Sequence, residues 1–222
     1  MAGLVSGAEM VEIGHDRLSL TLVPQIGGAI AAFRRRMEDG RVVDLLRPMD
    51  AASIARGDVL GAACFPLTPF SNRLKAGHFR FGPHDIAMPL NSDGSHVEHG
   101  HGWQRPWELV THSAETATLV YRHQPDAWPF AYEMRQTFAL LADHLSVTME
   151  TVNLAAEPMP YGFGLHPYFA RTADCELRAK VSGFWEVDAE IMPTKLVAVP
   201  PRSDPNRTIR IADHELDNAF TD

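Results

Sequence analysis

"MRQTFALLADHLSVTMETVN", Met134 to Asn153, contains two stretches in which apolar residues recur at roughly every second position, separated by the corner Leu141 to His144. A period of two sends successive side chains to opposite faces of an extended strand, so such a stretch reads as half-buried β structure. Two of them joined by a short turn read as an antiparallel hairpin. The same alternation runs through Arg17 to Val23 and Thr116 to Arg122, and further turn signals stand at Glu38 to Gly40 ("EDG") and Asn91 to Gly94 ("NSDG"). One short helix is expected, at Met49 to Arg56 ("MDAASIAR"). Sixteen prolines and sixteen glycines are spread along the chain and mark no linker. The pattern predicts one all-β domain over residues 1–222, a large antiparallel β-sandwich with its site on a sheet face or at loop ends.

Composition narrows the function classes. With 45% apolar and 22% charged residues in 222, the chain is that of an ordinary globular protein. A formal charge of −8, with Phe33 to Arg36 ("FRRR") as a short basic run, argues against nucleic acid as a partner. Cys64 and Cys175 lie in separate segments without CxxC spacing, which predicts two small, buried, reduced thiols. The N-terminus has no basic region followed by an apolar core, and no run approaches the roughly 20 apolar residues of a spanning helix. A cytoplasmic location and no membrane partner are expected.

Three segments carry chemistry. "SHVEHGHGW" (Ser95 to Trp103) places His96, His99 and His101 within six residues. His99 and His101 stand at i,i+2, a spacing that suits two imidazole ligands on an extended strand. The cupin metal pattern, however, sets a glutamate three or four residues after its HxH, whereas six residues separate His101 from Glu108 here, and Gly100 and Gly102 loosen the backbone. No metal is expected. "MPYGFGLHPYF" (Met159 to Phe169) sets His166 among glycines and aromatic rings, where an imidazole can exchange a proton near neutral pH. In "FPLTPFSNRLKAGHFRFG" (Phe65 to Gly82), Asn72 and Arg73 follow a proline-stiffened run and can present an amide and a guanidinium to oxygen atoms.

Together with "LSLTLVPQIGGAIAAFR" (Leu18 to Arg34) and "ELDNAF" (Glu215 to Phe220), these segments resemble, in order, the blocks of the aldose 1-epimerase (galactose mutarotase-like) family. The resemblance implies a supersandwich fold with a sugar site on its concave face and no cofactor. It implies that His166 and His99 serve the ring oxygen of an aldohexose, that Arg73 with Asn72 binds hydroxyls, and that Asp217 holds further ones. Trp103, Phe163 or Tyr168 would lie against the sugar's apolar face, and His96 and His101 would be rim residues. The family's base is a glutamate on a late strand beyond the "LDNAF" block, a place that Glu98, Glu157 and Glu215 do not occupy. Glu98 and Glu157 are expected as solvated loop carboxylates. On that expectation the chain lacks the last strands and turns over little or no sugar. Two related readings stay open: a sugar-binding module without turnover, and a hexose-6-phosphate mutarotase in which Arg105 or Arg171 meets the phosphate.

Overall fold

The computed structural model describes residues 9–221, which divide into two compact units between Ala170 and Arg171. The first unit contains β1 (Val11–His15), β2 (Leu18–Val23), β3 (Ala29–Arg36), β4 (Val42–Asp44), α1 (Ala51–Arg56), β5 (Cys64–Leu67), β6 (Arg73–Leu74), β7 (His78–Phe81) and β8 (His84–Ala87). It continues with β9 (Val97–Glu98), β10 (Glu108–His112), β11 (Thr116–His123), β12 (Tyr132–Leu140), β13 (Leu145–Asn153) and β14 (Gly164–Pro167). One sheet has the order β1-β2-β3-β5-β14 with β4 added beside β3, and a second has the order β10-β11-β12-β13. All of these pairings are antiparallel.

The two sheets enclose one core. Alternate residues of β12, namely Tyr132, Met134, Phe138 and Leu140, meet Leu20 and Leu22 of β2 and Leu119 of β11, with Trp107, Trp128 and Phe130 filling the gaps. Gln136 interrupts this series and is buried too; its side-chain amide donates to the Gly28 carbonyl at 3.2 Å, so the polar group is satisfied. The first sheet is covered on its other face as well. Ile30 of β3 and Cys64 of β5 point into the sandwich, while Ala29, Ala31, Phe65 and Leu67 point away from it into a second cluster with Met49, Val59 and Trp103. Burial on both faces explains why "AIAA" and "CFPL" are continuous apolar runs and not alternations.

The turn signals divide. Leu140 pairs with Leu145 around the Leu141 to His144 corner, and β3 pairs with β4 around Glu38 to Gly40, so both hairpins form. Asn91 to Gly94 does not close a hairpin: β8 before it pairs with β7, and β9 after it pairs with β6. The helix starts at Asp50, whose carboxylate accepts from Ser53 N–H at 2.7 Å, and stops at Gly57 with φ 64.

The cysteines differ from expectation in one respect. Cys64 is buried, and burial pushes its thiol up to about 12 against a weaker opposing pull from the His166 backbone N–H. Cys175 is partly exposed, and the Thr172 hydroxyl and backbone N–H lower its pKa. A thiol reagent is therefore expected to label Cys175 in the folded chain and Cys64 only on unfolding; mass spectrometry of the labelled peptides measures this, and equal rates would contradict it.

The second unit carries β15 (Glu176–Leu177), β16 (Gly183–Val187), β17 (Pro193–Val197), β18 (Ile209–Arg210) and β19 (Phe220–Thr221), paired as β15-β18 and β17-β16-β19. Among the described residues no helix is long and apolar enough to cross a membrane.

Candidate active site

The site follows from the antiparallel pairing of β5 and β14, in which His166 lies opposite Phe65. Alternation on β14 sends Leu165 into the sandwich core and His166 to the other face, beside Phe65; Tyr168, two residues on, packs against the same second cluster. The His166 ring stacks on Phe65 with centroids 4.8 Å apart and an interplanar angle of 17°, and Tyr168 flanks it at 4.8 Å. Across from it stands His99, whose ring centroid is 5.4 Å away at 71°. Two imidazoles 67 positions apart in the chain, His99 and His166, thus face each other on the outward side of the first sheet.

Strands β6 and β9 bring Arg73 to the same place. Arg73 pairs in register with Glu98, and its Nε donates to Glu98 Oε1 at 3.1 Å. Glu98 is thus a strand residue ion-paired to Arg73, not the solvated loop carboxylate expected from the sequence. Asn72, with φ 61, accepts the His99 N–H on its backbone carbonyl at 2.8 Å. Trp103 is 4% exposed, stacks on Phe65 at 5.5 Å and donates its indole N–H to the carbonyls of Glu98 and Gly100. It backs the site from the core, whereas Phe163 is 48% exposed. Asp217 belongs to the second unit, in the extended segment before β19.

Of the other two histidines, His96 is buried and not a rim residue, and His101 is half-buried. His96 is 5% exposed and its Nδ1 accepts from Ala76 N–H at 3.2 Å. His101 shares a hydrogen bond of 3.0 Å between its Nε2 and the Tyr132 hydroxyl, and its ring lies 4.4 Å from that of His123. Backbone reversal at His99 and Gly100, with φ of 59 and 69, explains why the i,i+2 spacing fails to converge: the segment is not extended there. Among the described residues no group of three His, Cys, Asp or Glu side chains is placed to hold a metal ion.

Burial first, and then the neighbouring His123, lower the pKa of His101 to about 3. A histidine held neutral in the folded state and titrating near 6.5 when unfolded contributes stability that is complete above about pH 6.5 and is lost as the pH falls from there toward 3. His101 is accordingly expected to keep neutral-form ring resonances in NMR at about pH 5, where an ordinary imidazole is largely protonated. Titration of the His101 signal near pH 6.5 would contradict this.

Sequence reasoning missed three contributors. Phe65 looked like one more apolar residue, and only its register opposite His166 makes it the imidazole's platform. Arg47 donates to the Leu60 and Ala62 carbonyls at 2.9 Å each and lies 4.0 Å over the Tyr168 ring, a cation–π contact that fixes that ring. Thr68 accepts the backbone N–H groups of His101 and Gly102 at 3.0 Å each, and its hydroxyl lies 2.6 Å from that of Tyr161.

The family model for aldose 1-epimerase matches residues 9–222. The chain belongs to the aldose 1-epimerase family. Over 174 residues it is 35% identical to the Escherichia coli K12 uncharacterized protein YphB, covering 78% of this chain and 56% of that one. It thus spans about half the length of this curated relative. A crystal structure from E. coli K12, provisionally assigned as an aldose 1-epimerase, superposes with a TM-score of 0.85 at 31% identity, covering 96% of this chain and 70% of the other. A GalM/aldose epimerase homologue from C. elegans superposes with a TM-score of 0.78 at 21% identity, covering 92% and 66% respectively, and shares the fold. The β-sandwich of the aldose 1-epimerase family therefore supplies the frame on which His99, His166 and Arg73 stand.

Proposed function

We propose that the protein is a mutarotase, interconverting the α and β anomers of an aldohexose by ring opening and reclosure. The observation that carries this reading is the pair of imidazoles, His99 and His166, facing each other at 5.4 Å on the outward sheet face, with Arg73 fixed beside them through Glu98. Ring opening needs an acid to deliver a proton to the ring oxygen while a base removes the proton of the anomeric hydroxyl; the family's late glutamate would take that proton, and no residue of these 222 matches it. The aldehyde turns about its C1–C2 bond and closes on the other face, returning both protons. His166 is the acid, since an imidazole can hold and release a proton near neutral pH. His99 supports it at the same oxygen. Arg73 and Asn72 hold sugar hydroxyls, and Phe163 and Tyr168 offer aromatic surface to the sugar's C–H face.

The test combines binding and turnover. Glucose or galactose is expected to shift the ring resonances of His99 and His166, while anomer exchange, followed by NMR, is expected to be slow with these 222 residues and fast in a form that also carries the family's late glutamate. Shifts without exchange in either form would favour a sugar-binding module, and failure of both with hexoses and hexose 6-phosphates would overturn the reading. Arg73→Ala is expected to weaken sugar binding about 10- to 150-fold, since hydrogen bonds to a charged group are worth about 1.5–3 kcal/mol. Calorimetric titration measures it, and unchanged affinity for every hexose and hexose phosphate would remove Arg73 from the site.

A further inference from the structure

His99 and Gly100 both have left-handed backbone, with φ of 59 and 69. That conformation is unfavourable for a residue with a Cβ and persists where the surroundings over-determine it. Asn91 supplies three of the bonds that do so. Its Nδ2 donates to the Glu98 carbonyl at 2.8 Å and to the Gly100 carbonyl at 2.7 Å, and its Oδ1 accepts the Glu98 N–H at 2.8 Å. One carboxamide therefore grips the backbone on both sides of His99. The indole N–H of Trp103 reaches the same two carbonyls at 3.1 and 3.3 Å.

The chemistry of this grip demands an amide. It needs two N–H donors for two carbonyl oxygens and one acceptor for an N–H, a combination that a carboxylate of the same shape lacks. Asn91 stands in what reads locally as a turn. The Gly94 N–H is taken by the Ser92 hydroxyl at 3.4 Å, and the Asn91 side chain is directed to the histidine loop seven residues on, instead of closing a hairpin.

We propose that Asn91 is the positioning residue of His99: it holds the reversed backbone that presents this imidazole to His166. Its catalytic consequence rests on the reading of His99 as a group at the sugar's ring oxygen. The isosteric Asn91→Asp replaces the doubly donating Nδ2 with an oxygen that faces two carbonyl oxygens, and Asn91→Ala removes all three bonds.

The experiment reads the imidazole itself, by long-range 1H–15N correlation spectra of the full chain, with the His99 signal assigned by its loss in His99→Asn. In Asn91→Asp the 15N shifts and the titration midpoint of His99 are expected to move, while those of the exposed His144 stay in place. Anomer exchange is expected to lose about 10²-fold in kcat with little change in KM, the scale for a catalytic group misplaced by about an ångström. Coincidence of the His99 signals with those of the unsubstituted chain, in both Asn91 variants, overturns the proposal whatever the rate. If the signals move and the rate does not, the positioning stands and the role of His99 at the ring oxygen fails. Should neither Asn91 variant fold, as judged by circular dichroism, Asn91→Gln, which keeps the amide but displaces it by one methylene from the three backbone groups it holds, is expected to move the His99 signal; no movement there overturns the proposal.

Discussion

Replacing His166 with asparagine, in any form of the chain that is active, is expected to slow anomer exchange by about 10²–10⁴-fold, the usual contribution of a general acid or base, while sugar affinity stays near that of the unsubstituted chain. The expectation comes from where the ring sits. Pairing of β14 with β5 is carried by backbone hydrogen bonds and survives the exchange, as does the burial of Leu165 on the other face. What disappears is a titratable ring stacked on Phe65 and facing His99. Asparagine retains polar atoms close to the backbone but has no proton to give near neutral pH. Comparing the two chains side by side, by NMR exchange for rate and calorimetry for affinity, decides the matter: an equal rate would exclude His166 as the acid, and a lost affinity with unchanged turnover at saturation would make it a binding group.

Gly100→Ala is expected to destabilise the first unit by about 2–5 kcal/mol, combining the left-handed penalty of about 1–2 kcal/mol for an L-residue with about 1–3 kcal/mol for overpacking. A Cβ at this position would fall on the Thr68 carbonyl oxygen and close to Pro69 Cδ. Neither can yield cheaply, because that carbonyl already accepts the His101 and Gly102 N–H groups and Thr68 is bridged to Gly100 itself. The same loop holds His99, so the His99–His166 geometry is expected to degrade with stability. Gly40→Ala is the matched control: it also has positive φ, at 84, but no atom within 4 Å of the added methyl group. Urea unfolding of the two variants measures the difference, and equal midpoints would show that the loop relaxes freely.

Much of the frame was legible along the chain. Alternation in Met134 to Asn153 reports which side chains face the core, because a strand's period is set by local backbone geometry. The Asp50 cap and Gly57 stop of α1 act within a few residues, and so could be read directly. That His99 and His166 come together was expected from the family resemblance of their blocks, and their rings do face each other. Misreadings fell where a side chain's fate depends on distant chain. Asn91 has the composition of a turn residue, yet its amide is consumed by the histidine loop; Glu98 has the composition of a solvated carboxylate, yet Arg73 takes it.

The sequence alone therefore determined the all-β class, the sandwich and the family, since periodicity and the order of motif blocks are properties of the chain read in one dimension. Tertiary structure decided which face of β14 His166 occupies, that Phe65 is the platform under it, and that His96 is buried and His101 meets Tyr132 and His123 while His99 faces His166. The physical reason is the backbone reversal at His99 and Gly100: it is held by hydrogen bonds donated by Asn91 and Trp103 and by the Asn72 carbonyl that accepts the His99 N–H, contacts that no local propensity encodes.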